Sequence, residues 1–422
     1  MKKALIISPY FIPTNSADSH RIRMSLPYFK QFDWEAEIVT VKSVYSDLVK
    51  DSLLIKSIPK DIKVHNVKAL SKKWTSRFGL GSIALRSLWF YFTYVSKLLS
   101  SQHYDLIYFS TTQYPVCILG PYWKKRFKVP YVIDIQDPWH TDYYNNKPKS
   151  ERPPKYWFSY RLNKLLEPIA LKSVDGLISV NQAYINELKD RYFQIKDIPA
   201  ATIPFSSSLI DFEIAKINSS SFNSYYNKND KIKIAYIGAV GTIMKESIIK
   251  LLYAFKIFIN TSDLFKEKIE LYFLGTSYAP NGAGIPSVKP IANELGIGEY
   301  VIEVTERLTY YNAIHHILNS DALFIVGSDD SNYIGSKVYN YLMANKQIYS
   351  LLHHKSPAIQ ILKNYDLAVI NDLNSTQETI NSSFSKFISG LTSDDQINNP
   401  PTYDALMMTK DQCALFDKVL SI

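Results

Sequence analysis

The stretch Tyr131-Val-Ile-Asp-Ile-Gln-Asp-Pro-Trp139 restricts the fold more than any other part of the chain. Val132, Ile133 and Ile135 form a short β-branched run, which suits a strand buried on both faces of a parallel sheet. Pro138 cannot continue such a strand, because it has no N–H for the ladder. Asp137 therefore stands at or just past a strand's carboxyl end, the edge where open α/β sheets bind ligands. An N-capping aspartate would fit the same local pattern, so the surroundings decide between the two readings.

Those surroundings alternate. Strands are expected over 4–8, 37–41, 105–110, 129–135 and 176–180. Helices are expected over 19–31, with Ser19 or Asp18 as N-cap, and over 156–172 and 182–192. This order implies a parallel sheet covered on both faces. Residues 206–230 break the pattern. Ser206-Ser-Ser208, Ser219-Ser-Ser-Phe-Asn-Ser224 and Asn227-Lys-Asn-Asp230 are polar and aperiodic, which marks a linker or surface excursion. Alternation then restarts, with strands over 233–237, 269–274 and 322–326 and helices over 245–258 and 337–343. The division expected is a first α/β domain over 1–205, a linker over 206–230 and a second α/β domain over 231–400. A helical segment over 401–422 would pack back on the first domain. A chain of 422 residues fits two domains.

Charge separates the two halves. Residues 1–200 carry 30 Lys/Arg against 17 Asp/Glu, and the remainder 18 against 22. A basic first half suggests that one lobe meets an anionic partner, either nucleic acid or a membrane face. Cys117 and Cys413 are too few for a disulfide framework or a thiolate zinc site. The apolar run over 4–7 is too short for a signal peptide, and no segment has 18 uninterrupted apolar residues.

Gly238-Ala-Val-Gly241 lies between an expected strand and an expected helix, where backbone N–H groups can face a phosphate. Lys245 on the first turn could reach a diphosphate oxygen. Gly335-Ser336-Lys337 opens the helix over 337–343, and a lysine at that end is misplaced electrostatically unless an anion compensates it. Asp329-Asp330 could bind Mg²⁺, but a solvated loop pair is the better reading. His315-His316 and His353-His354 lack metal-ligand spacing and read as surface histidines.

In order and spacing, the motifs resemble those of GT-B glycosyltransferases of the retaining family 4, in the bacterial branch with an Asp-Phe-Arg-Asp-Pro-Trp-like motif. The resemblance begins at Ser8-Pro-Tyr-Phe-Ile-Pro13 and Arg21. It includes Asp134-Ile-Gln-Asp-Pro-Trp139, Glu167 and Val174-Asp-Gly-Leu-Ile-Ser-Val-Asn181. In the second half it covers Tyr236-Ile-Gly238, Phe273-Leu-Gly275, Asp321-Ala-Leu-Phe324 and Ser336-Lys-Val-Tyr-Asn-Tyr-Leu342. It implies an α/β fold of two Rossmann-like domains facing across a cleft, the second binding a nucleotide sugar and the first a saccharide or lipid-linked acceptor. It implies catalytic roles for Asp137, Lys337 and Lys245, and donor contacts from Gly238, Gly241, Gly335, Ser336, Asn340 and Asn332. Arg21, Gln136 and His140 fall on the acceptor side. These enzymes are metal-independent, so no metal or other cofactor is expected.

The chain departs from the pattern at three places. Asn332 and Asn340 stand where two glutamates are usual, which keeps hydrogen-bonding capacity but removes charge. Gln136 stands where many relatives have histidine. Thr14-Asn-Ser-Ala17 replaces a Gly-Gly loop and lacks its conformational freedom. A sugar-nucleotide epimerase of the same fold, a non-catalytic partner and a basic nucleic-acid-binding protein are the rival readings. No helix-turn-helix, RNP or zinc pattern supports the last, so no nucleic-acid partner is expected. The aromatic segment from Trp74 to Leu99, flanked by Lys72, Lys73, Arg77 and Lys97, suits an anionic membrane surface. The expected location is cytoplasmic, peripheral on the inner face of the plasma membrane, in surface polysaccharide synthesis.

Overall fold

The computed structural model describes all residues except 147, 150, 151, 153–155, 278, 280, 281, 329–334 and 392–402. Asn332 and Asp329-Asp330 thus lie outside the described residues. The chain divides into two compact units, Met1–Ser206 with Tyr403–Ile422, and Ser207–Thr402.

The first unit is built on seven parallel strands: β1 (Lys2–Ile7), β2 (Trp34–Val41), β3 (Lys63–Val67), β4 (Leu106–Ser110), β5 (Tyr131–Ile135), β6 (Gly176–Ser179) and β7 (Ala200–Thr202). Their order is β3-β2-β1-β4-β5-β6-β7. The chain therefore winds outward in both directions from between β1 and β4, where open sheets bind ligands. Pairing there persists to the strand ends, with Ile6 opposite Tyr108 and Ile7 opposite Phe109. All five residues of β4 and of β5 are buried, as the unalternating apolar runs require.

The second unit has β8 (Ile232–Ile237), β9 (Ile269–Leu274), β10 (Val301–Val304), β11 (Ala322–Val326), β12 (Gln347–Leu352) and β13 (Ala368–Asp372). The order β10-β9-β8-β11-β12-β13 turns between β8 and β11. Here the two central strands part early. They pair only at Ile234–Ala322 and Ala235–Leu323, although β8 runs on to Ile237 and β11 to Val326.

Several elements differ from expectation for identifiable reasons. The first helix stops at Ser25, not 31, because Leu26 is followed by Pro27, and residues Phe29–Phe32 form a separate 3₁₀ turn. Asp18 holds the N-cap position of that helix, but its side chain makes no capping bond. The stretch read as a linker carries the helix Leu209–Ile217, held by its buried Asp211, which accepts from Tyr310 Oη at 3.1 Å and Tyr311 Oη at 2.9 Å. His316 is not a surface residue. It is buried, bonded to Asn312 O and the Tyr225 N–H, and desolvation lowers its pKa to about 4.

The terminal helix Ala405–Leu420 belongs to the first unit. Phe416 packs edge-on to Trp34 at 5.3 Å and Tyr108 at 5.0 Å, and Val419 fills the space left by Gly176. Both cysteines are buried and free. Among the described residues no helix is long and apolar enough to cross a membrane.

Candidate functional site

Charged residues gather at the carboxyl ends of the central strands in each unit. In the first, the loop after β1 carries Asp18. One carboxylate oxygen accepts from Thr111 Oγ1 and the Thr112 N–H, each at 3.1 Å, and the other is bonded by Ser16 Oγ. The Asp18 side chain thus joins the loop after β1 to the loop after β4.

One turn on, Arg21 is fully buried. Its Nε lies 2.8 Å from Asp134 Oδ2, and its Nη atoms donate to the carbonyls of Ile203 and Pro204. The same Asp134 oxygen accepts from Gln136 Nε2 at 2.8 Å and Tyr108 Oη at 3.2 Å. Desolvation raises the Asp134 carboxyl pKa, with Arg21 opposing. Arg21 and Gln136, both expected on the acceptor side, are brought together, but their polar contacts face inward on Asp134.

Asp137 lies two residues beyond β5, at a depression of about 370 Å³ walled by Tyr114, Trp139, Phe158 and Leu162. Tyr114 fixes its backbone, donating to Asp137 O at 2.5 Å and accepting from Asp137 N at 3.0 Å. Trp139 stacks on Tyr114 at 5.1 Å. The Asp137 side chain keeps access to water, yet lining the depression removes part of its hydration. That desolvation, aided by the charge of Asp18, pushes its carboxyl up to about 6. A carboxyl near that value can accept or orient a proton close to neutrality.

His140 is buried, with its ring against Tyr160 at 4.6 Å and its carbonyl accepting from Arg191. Desolvation, then the Arg191 charge, lower its pKa. Arg191 also pairs with buried Glu167 at 2.6 Å.

In the second unit the site forms where β8 and β11 part. Lys337, at the start of the helix Lys337–Met343, places its ammonium 3.7 Å from the centre of the Tyr236 ring and bonds the Tyr236 hydroxyl. Four residues on, Tyr341 Oη accepts from the Ile237 N–H at 2.9 Å. The helix is thereby pinned to the unpaired end of β8. The Lys337 stem keeps some exposure, but its ammonium is shielded, and desolvation lowers its pKa to about 7. It is not the solvated lysine that a helix start normally offers.

Gly238 makes this possible. Its φ of +136° is one that side chains rarely adopt, and a Cβ there would stand 2.8 Å from Lys337 Nζ. Gly241, by contrast, has an ordinary φ of −91°, and a Cβ there would make only an ordinary contact with Ile243 at 3.6 Å. Lys245 is exposed on the first turn of the helix Lys245–Thr261. Ser336 is exposed beside Gly335 and makes no capping bond. Asn340 Oδ1 accepts from Ser207 Oγ at 2.7 Å. The structure therefore joins Lys337 to Gly238.

Sequence reasoning missed Asp18, Tyr114 and Tyr236 as site residues. Tyr236 had a signal: a hydroxyl-bearing side chain two residues before the glycine that ends a strand. The other two act through loops that only the topology brings together. A second depression, about 310 Å³, lies at the amino ends of β1–β3 near Trp34, Glu37 and Lys63. It is at the opposite edge of the sheet, and its charges pair with one another, as in Lys3–Glu37 and Lys30–Asp61. Among the described residues no group of three His, Cys, Asp or Glu could hold a metal ion.

No family model matches the sequence, and no curated protein matches it. Solved structures do. Anabaena HepE in complex with UDP-glucose superposes with a TM-score of 0.59 at 12% identity, over 100% of this chain and 100% of that one. WaaG, a glycosyltransferase involved in lipopolysaccharide biosynthesis, gives 0.52 at 12% identity, over 98% and 95%. A putative UDP-N-acetylglucosamine 2-epimerase from Listeria monocytogenes gives 0.55 at 11% identity, over 96% and 94%. Likeness at this identity is likeness of fold: the chain has the GT-B fold of two Rossmann-like units.

Proposed function

We propose that the protein is a glycosyltransferase that moves a sugar from a nucleotide-sugar donor to a saccharide or lipid-linked acceptor. The observation that carries this reading is the Lys337 ammonium, held against Gly238 and Tyr236 where β8 and β11 part. A diphosphate there would hold the lysine protonated, since an adjacent anion favours the charged form. When the glycosyl–phosphate bond breaks, its electron pair leaves on the diphosphate, and stabilising that charge is the main electrostatic task. Lys337 would meet it directly and Lys245 from the first turn of its helix. Gly238, Gly241, Gly335 and Ser336 would admit the phosphates, and Asn340 and Asn332 would bond the ribose as neutral groups.

Asp137 would orient the acceptor hydroxyl, in a reaction that, as in family 4, retains anomeric configuration without a metal. Bacterial surface polysaccharide synthesis is the setting that suits a lipid-linked acceptor. The fold is shared with a putative epimerase, and that second reading predicts an altered sugar nucleotide released without any acceptor.

Calorimetric titration with a panel of sugar nucleotides, UDP-glucose included, tests the reading. Lys337→Met should weaken donor binding by about tenfold or more, the loss of a charge-assisted bond worth roughly 1.5–3 kcal/mol. Asp137→Asn should keep donor affinity and the melting temperature while losing transfer. Equal donor affinity in a folded Lys337→Met protein would remove the assignment.

A further inference from the structure

We infer that the first unit docks on an anionic lipid bilayer through the surface carrying Trp74, Trp89 and Trp157. The three tryptophans are 70%, 69% and 64% exposed, whereas the chain's other three, Trp34, Trp123 and Trp139, are buried. Tryptophans left that open cost the fold apolar hydration, and three of them on one unit mark a surface meant to be covered.

Their surroundings say what covers them. Arg77 lies over the Trp74 ring at 5.6 Å and Arg161 over Trp157 at 5.7 Å. From Ile62 to Ile133 the chain has eleven Lys/Arg and a single acidic residue, Asp105. On the helix Tyr156–Leu171 the one acid, Glu167, is buried and paired with Arg191. Exposed residues Trp157, Arg161, Leu165 and Ile169 recur every fourth position, so that helix turns a second apolar and basic stripe outward. Mixed tryptophan, tyrosine and arginine suit the headgroup layer, where rings lie at the boundary and cations meet phosphates.

The helices that carry Trp89 and Trp157 each pack on the helix Gly120–Phe127. Trp89 stacks on Phe92, and Phe92 meets Tyr122 at 4.9 Å, which ties the helix Ile83–Ser101 to the helix Gly120–Phe127. Gly79 abuts Phe158, next to Trp157. Gly79, Leu85, Phe158 and Leu162 also wall the depression that holds Asp137, so docking would bring that depression to the lipid surface. Binding itself is independent of whether the second unit binds a nucleotide sugar.

The test is co-sedimentation of the full chain with vesicles of phosphatidylcholine, alone or mixed with phosphatidylglycerol. Binding is expected only to the mixed vesicles at low salt, with release in high salt. Replacing Lys73, Arg77, Arg161 and Lys164 by Gln should weaken it by about tenfold or more, given the contribution of each basic residue near an anionic leaflet. Brominated phosphatidylcholine in the mixed vesicles should quench part of the wild-type tryptophan fluorescence, a readout that needs no variant. Absence of binding at low salt, equal binding to pure phosphatidylcholine, no quenching, or full displacement by duplex DNA would each overturn the inference.

Discussion

The two sheets turn at equivalent places, yet they treat charge there in opposite ways. Between β1 and β4 the pairing runs to the strand ends, and Arg21, Gln136 and Tyr108 converge on one oxygen of Asp134, so that the buried cation faces a buried carboxylate. Between β8 and β11 the pairing stops short, and one lysine enters the gap with a ring and a hydroxyl for company and, among the described residues, no carboxylate bonded to it. A closed network with compensated charge holds a loop in place. An open one with a desolvated cation is incomplete until an anion arrives. The difference separates positioning residues from a binding residue, although all of them sit at the edge where ligands bind.

The largest effect should come from breaking the closed network. Arg21→Met leaves Asp134 buried with no counter-charge, which should cost about 3–5 kcal/mol, whereas Arg21→Met with Asp134→Leu should recover most of that loss. Tryptophan fluorescence is the right probe, because all six tryptophans lie in the first unit. An unchanged urea midpoint in Arg21→Met would mean that the pair is not a structural closure. The comparison would then lose its first half.

Gly238→Ala should have a smaller effect of a different kind. The alanine must adopt a φ of +136°, a strain of about 1–3 kcal/mol, and its methyl must displace the Lys337 ammonium. Circular dichroism, which reads both units, should show the loss, while the tryptophan transition of the first unit should stay in place. Donor binding should fall as it does in Lys337→Met. Gly241→Ala, with an ordinary φ and only an ordinary contact to Ile243, should leave stability unchanged, and if the two substitutions cost the fold alike the argument from Gly238 fails.

What the sequence made legible follows from what is local. The strands 269–274 and 322–326 and the helix 337–343 are where apolar runs and periodicity put them. Asp137 is where Pro138 puts it, just past β5. The role of Asp18 was not legible, because capping is a local pattern and its actual partners, Thr111 and Thr112, come from a loop more than ninety residues away. Burial of the Lys337 ammonium was hidden for the same reason. It depends on Tyr236 and Gly238, about a hundred residues earlier, and on a gap that opens only because β8 and β11 are neighbours. The helix Leu209–Ile217 was masked by its serine-rich flanks, and two tyrosines from the helix Tyr310–Leu318 anchor it.

The smallest effect, and the one that discriminates most sharply between the two arrangements, is the pH dependence of donor binding. With its pKa lowered to about 7, Lys337 is largely neutral above that value in the free protein. A bound diphosphate would raise the pKa, so binding takes up a proton throughout the window from about 7 to the higher bound-state value. Affinity must then fall as pH rises through that window, by up to about tenfold per pH unit, or roughly 1.4 kcal/mol. UDP-glucose is the suitable probe, because its diphosphate is esterified at both ends and has no proton of its own to lose near neutrality. The Asp137 carboxyl, at about 6, titrates below the window. Calorimetry at pH 8 in buffers of different ionisation enthalpy should detect uptake approaching one proton per UDP-glucose, and Lys337→Met should abolish both the uptake and the slope. Uptake that persists in that variant would place the titrating group elsewhere and leave the gap between β8 and β11 without its binding residue.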